Sequence, residues 1–218
     1  MIPLRDVIPS RTVPFVTVVL IIINAAAWIY EISMPPDSID AFLATYGVVP
    51  ARFVPVTLLT SMFLHGGWGH VTGNMWYLWI FGDNVEDAFG HGRFLFFYLL
   101  CGTTAAVGQI VTDPASLIPT IGASGAIAGV MGAYFVLYPR SRVLTLVPPF
   151  LFNVIEVPAV VLLGFWFLMQ LLNAGAVASV ANSGQGGVAF AAHVAGFLVG
   201  ALGVFVFRKR PQHRAWDA

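Results

Sequence analysis

Of 218 residues, 58% are hydrophobic and 9% charged, with a mean hydropathy of +0.85; so little polar surface excludes a soluble globule and points to a polytopic membrane protein. The 10 basic and 10 acidic residues cancel, which leaves no global field to draw nucleic acid or an acidic substrate. Cys101 is the single cysteine, which rules out an intrachain disulfide and a cysteine metal cluster.

A membrane-crossing helix takes about 20 apolar residues, and fewer where its end lies in a protein-lined cavity. Six segments qualify, roughly 13–32, 68–82, 94–111, 118–138, 157–172 and 187–207. The expected fold is an all-α polytopic bundle of six transmembrane helices forming one integral-membrane domain over residues 1–218. Arg5 and Arg11 precede the first run, which lacks a small-residue cleavage site and is expected to be a retained span. The connection Ser33 to Gly67 mixes four prolines with Phe42, Phe53, Leu58 and Met62, and is expected to pack on the bundle in the outer interface. Val143 to Phe152, with Pro148 and Pro149, is expected at the cytoplasmic interface. Ala174 to Gly187 is rich in Gly, Ser, Asn and Ala. With the neighbouring end of the fifth span, it is expected to gate lateral entry of a substrate.

Charge tests the count. With the N-terminus inside, Arg5, Arg11, Arg93, Arg140, Arg142, Arg208, Lys209, Arg210 and Arg214 fall on the cytoplasmic side and only Arg52 outside. That is the positive-inside bias, and an odd number of spans would spoil it. Both termini are therefore expected in the cytoplasm and the protein in the cell (plasma or inner) membrane.

Polar side chains within spans are costly and mark functional sites. The candidates taken from them are His70, Asn74, Ser124 and His193. All four fall within about two helical turns (~11 Å) of the outer ends of spans two, four and six. His70 and Asn74 are i, i+4 and can aim donors into one cavity. His193, Gly196 and Gly200 share one helix face, as do Ser124, Ala128 and Gly132. Small residues so spaced let membrane helices approach closely. A neutral imidazole at His193 can take the Ser124 proton as the hydroxyl attacks a carbonyl, then return it to a leaving amine. The Ser124 amide at a helix N-terminus, with Asn74 and His70, can supply the oxyanion donors. No Asp or Glu is assigned to matching depth in any span, so the expectation is a Ser-His dyad.

This set resembles the rhomboid family of intramembrane serine proteases. The likeness rests on His-x-x-x-Asn (His70, Asn74), on Gly-x-Ser-Gly (Gly122, Ser124, Gly125) and on Ala-His-x-x-Gly-x-x-x-Gly (Ala192, His193, Gly196, Gly200). Arg52, His65, Glu86, Gly90 and Gly92 match further, and the likeness covers essentially the whole chain. It implies a six-helix core with a water-accessible cavity, cleavage of transmembrane segments of other proteins in the bilayer, and no cofactor. It also implies Ser124 as nucleophile, His193 as general base and acid, and His70 and Asn74 as oxyanion contributors. Gly122, Gly125, Gly196 and Gly200 support the site. One departure is Ala128, where some members place a tyrosine that packs on the histidine. Arg52 and Glu86 are read as structural anchors and His65 as interfacial.

Other chemistries fit less well. His65, His70 and His193 could meet around zinc, yet no His-Glu-x-x-His and no accompanying carboxylate occurs, so no metal is expected. An aspartyl protease needs two buried carboxylates. A transporter should carry paired interrupted helices or a coupling-ion carboxylate at mid-membrane, and an inactive relative should lack Ser124 or His193.

Overall fold

An apolar run in lipid satisfies its backbone polar groups within itself only as a helix, and most of this chain folds that way. The computed structural model describes residues 1–147, 153–179 and 189–209. Its elements, in order, are β1 (Ile2–Asp6), α1 (Phe15–Ser33), α2 (Pro36–Tyr46), α3 (Thr57–Thr60), α4 (Trp68–Phe89) and α5 (His91–Thr112), followed by α6 (Ser124–Leu137), β2 (Arg142–Leu146), β3 (Val154–Pro158), α7 (Ala159–Ser179) and α8 (Phe190–Phe207). Among the described residues, four helices can cross a membrane by length and composition: α1, α5, α7 as far as Ala176, and α8. Helix α4 is 22 residues long but carries His70, Asn74, Asp83, Glu86 and Asp87; α6 is apolar but only 14 residues long.

Several boundaries differ from expectation, among them the end of α7, which runs on to Ser179 rather than 172, so that 174–179, expected as loop, are helical. The run at 118–138 is helical only from Ser124, because Thr120 is held in a bridge to Val48 and Gly122 turns the chain with φ +119°. Helix α4 continues past residue 82 to Phe89. Residues 154–158, partly assigned to the fifth span, form a strand. The connection 33–67 holds α2, α3 and two 3-10 turns rather than open loop.

The three strands form an antiparallel sheet in the order β1-β2-β3, a departure from an all-helical fold. Its register runs Ile2↔Leu146 to Asp6↔Val143 and Arg142↔Pro158 to Leu146↔Val154. Five-residue strands carry too short an alternation to be distinguished from connections. Pro148 and Pro149 lie outside the described residues.

Helix α6 sits at the centre, with residues 125–134 all buried, and packs on α8, α5, α4 and α7. Carboxylates at the end of α4 anchor the N-terminal segment. Glu86, wholly buried, accepts the Val16 and Thr17 amides, each at 2.8 Å, and the Thr17 hydroxyl at 2.7 Å. It thereby serves the first-turn donors of α1, whose N-cap, Pro14, offers no side-chain bond. Asp87 accepts the amides of Arg11 and Thr12, and Asp83 the hydroxyl of Ser10. The Lys209 amide reaches the Ala88 carbonyl at 3.0 Å, bringing the end of α8 to the same end of the bundle.

Candidate active site

Ser124 is the first residue of α6. The turn before it requires glycine twice over: Gly122 is in the left-handed region, and a Cβ there would lie 2.6 Å from His70 Nε2. Its amide donates to the Ser61 carbonyl at 2.8 Å, fixing the entry to the helix. Helices α6 and α8 then meet backbone to backbone. A Cβ on Gly196 would overlap the Gly125 carbonyl, and one on Gly200 the Gly129 carbonyl. That approach brings His193, buried on α8, to Ser124, with Nε2 2.8 Å from Oγ. Gly125 lets α5 close in as well, since a Cβ there would sit 2.5 Å from Ala105 Cβ. A cavity of about 30 Å³ opens beside the serine, lined by Ser61, Met62, Gly102, Gly122 and Ala192 among others. It has room for roughly one water.

His70 and Asn74 both face the Gly122 turn, for a Cβ on Gly122 would be 3.6 Å from Asn74 Nδ2 as well as touching His70. Asn74 is buried and its Nδ2 has no hydrogen-bond partner. His70 Nδ1 accepts the Gly66 amide at 3.3 Å. In the neutral ring that leaves the proton on Nε2, the nitrogen turned toward Gly122. An unpartnered amide donor and an imidazole N–H are thus placed next to the first turn of α6, whose own amides lack helical acceptors.

His65 is buried under His70, ring centroids 5.1 Å apart and steeply inclined, and both its ring nitrogens lack partners. Burial first, and then the charge of His70, push its pKa down to about 4, so the ring is neutral at pH 7. Its amide donates to both oxygens of Glu31, 3.2 Å each. A buried carboxylate therefore does come near the site from α1, contrary to expectation, but it holds the backbone ahead of α4 and does not bond His193. Arg52 is exposed at the end of a 3-10 turn.

Two residues of α7 escaped the sequence analysis. Gln170 Oε1 lies 2.8 Å from His193 Nδ1, and the Trp166 ring is 5.8 Å from the imidazole, tilted by 36°. The missed signal was a glutamine within the apolar stretch Phe-Leu-Met-Gln-Leu-Leu, a polar group in a membrane-length helix. Among the described residues no three His, Cys, Asp or Glu side chains converge as a metal-ligand set.

A family model described as the Rhomboid domain covers residues 53–210. Rhomboid protease GluP of Bacillus subtilis (strain 168) is 38% identical over 130 residues, 59% of this chain and 23% of that protein. The putative rhomboid protease YdcA of the same organism is 32% identical over 127 residues, 57% of this chain and 62% of the relative. Rhomboid protease AarA of Providencia stuartii is 28% identical over 208 residues, covering 85% and 70%. The chain spans less than two thirds of the length of the first two. With its apolar helices and this domain match, the chain is a multi-pass membrane protein and belongs to the rhomboid family.

Proposed function

We propose that the protein is an intramembrane serine endopeptidase that cleaves transmembrane segments of other membrane proteins. The observation that carries this reading is the 2.8 Å contact between Ser124 Oγ and His193 Nε2, made across two helices packed through glycine. Ser124 Oγ attacks the scissile carbonyl carbon while His193 Nε2 takes its proton. Negative charge on the carbonyl oxygen is met by the Asn74 amide, His70 Nε2–H and the Ser124 N–H, a role supported by the unpartnered Asn74 Nδ2. Collapse expels the amine, which takes the proton from His193. A water then attacks the acyl-serine by the same proton route and releases Ser124. No step calls for a cofactor. The relatives GluP and AarA carry the name protease, which supports the class of reaction.

The chain is one integral-membrane domain in which α1, α4, α5, α6, α7 and α8 span the bilayer. The full burial of residues 125–134 supports so short a span for α6, since a helix enclosed by others need not match the lipid. The end where β1 meets β2 and Lys209 meets Ala88 gathers Arg5, Arg11, Arg142 and Lys209. That supports a cytoplasmic location for both termini in a plasma or inner membrane. Arg210 and Arg214 lie outside the described residues, as do 180–187 of the expected gate, whose residues 174–179 are the end of α7. Purified protein in detergent should cut a single-span model substrate near its outer boundary, and Ser124→Ala should not. Equal cleavage by both would refute the assignment.

A further inference from the structure

We propose that Gln170 is the positioning residue of the hydrolytic site: its side-chain carbonyl accepts the Nδ1 proton of His193 and so presents an unprotonated Nε2 to Ser124. This rests on the protease reading above and assigns a third member to what the sequence presents as a dyad.

The polar groups of α7 point to this role. Between residues 159 and 176 the helix carries two polar side chains, Gln170 and Asn173. Asn173 donates to the Met169 carbonyl of its own helix at 2.7 Å, whereas Gln170 crosses to α8 and meets the imidazole at 2.8 Å. An amide in an apolar helix is disfavoured unless its hydrogen bond does something a leucine cannot. Ring support points the same way. Ala128 offers α6 only a methyl group, and the aromatic surface beside His193 comes instead from Trp166, one turn before Gln170. One face of α7 thus supplies both a flat neighbour and an acceptor.

The chemistry explains why a carbonyl is needed. To accept the Ser124 proton, Nε2 must be bare, so the single proton of the neutral ring must reside on Nδ1. A carbonyl 2.8 Å away selects that tautomer and remains paired when the ring becomes imidazolium. Glutamine does this without adding a buried negative charge, which a carboxylate would. The ionisable side chain facing His193 across the site is His70 of α4; α7 carries none.

Two measurements on the full chain in detergent test the role. The first is the ¹⁵N spectrum of the His193 ring, identified among the five histidines by its loss in His193→Ala. Nδ1 should be the protonated nitrogen in the wild type, and Gln170→Leu should move population to the Nε2–H form. The second is cleavage: Gln170→Leu, close in size and natural to an apolar helix, should lower kcat roughly tenfold with KM within about twofold. Gln170→Glu should regain kcat relative to leucine and shift the acid limb of the kcat profile upward by about one pH unit. An unchanged tautomer in Gln170→Leu overturns the proposal. If that variant does not fold, an unmoved acid limb in Gln170→Glu overturns it. The tautomer measurement needs no activity, so failure of the protease reading would appear separately, as wild-type protein no more active than Ser124→Ala.

Discussion

Asn74 carries a buried amide nitrogen with no hydrogen-bond partner, beside the turn that leads into Ser124. In the proposed reaction this donor meets the charge that develops on the carbonyl oxygen. Removing it should separate stability from activity. Asn74→Ala is expected to lower kcat about a hundredfold, ~3 kcal/mol of transition-state stabilisation. The thermal midpoint should hold or rise, because an unsatisfied group disappears. Cleavage rates in proteoliposomes beside unfolding scans check this, and unaltered kcat would remove Asn74 from the oxyanion site. Gly122 belongs to the same scale. Its positive φ, and the nearness of the His70 ring that leaves no room for a Cβ, make the turn before Ser124 and the imidazole one fitted unit.

Between elements, the α6–α8 contact decides whether Ser124 and His193 meet. Gly196→Val would push a branched side chain into the Gly125 carbonyl and force the helices apart. It is expected to abolish cleavage and to cost about 1–3 kcal/mol of stability, read from denaturation in detergent. Gly92→Ala in α5 is the control, because that residue is exposed and a Cβ there meets nothing within 4 Å; it should be neutral in both assays. The i, i+3 and i+7 spacing of His193, Gly196 and Gly200 made this contact legible in advance. The identity of the opposing atoms was not, since spacing along one helix says nothing of the rotation of its neighbour.

Across the whole molecule, β1 ties the N-terminus to the far end of the bundle through Asp6. Its carboxylate accepts from the Tyr134 hydroxyl at 2.7 Å and from Asn84 Nδ2 at 3.0 Å. Burial raises its pKa from 3.8 to about 6, the Tyr134 bond opposing and the Asp83 charge adding. Between those two values the folded state holds a proton that the unfolded chain has released. The contribution of this group is therefore full below pH 3.8 and is lost as pH rises through 6. Asp6→Asn removes that dependence, so its thermal midpoint minus that of the wild type should increase from pH 4 to pH 6 and level off above. A flat difference would mean that Asp6 titrates normally.

The sequence by itself determined that the chain enters a membrane, which runs become helices, that His70 and Asn74 share a face, and that Ser124 and His193 are the pair to watch. Apolar length, periodicity and motif spacing are properties of a single segment and can be read without a partner. Tertiary structure decided the rest. Helix α6 begins at Ser124 and not at 118 because Val48 and Ser61, from an earlier segment, hold residues 120–122 in another conformation. The three-stranded sheet exists because β1 and β2, far apart in the chain, are paired. Glu31 and Gln170 found their targets, His65 and His193, through the tilt and rotation of α1 and α7, which no local pattern records.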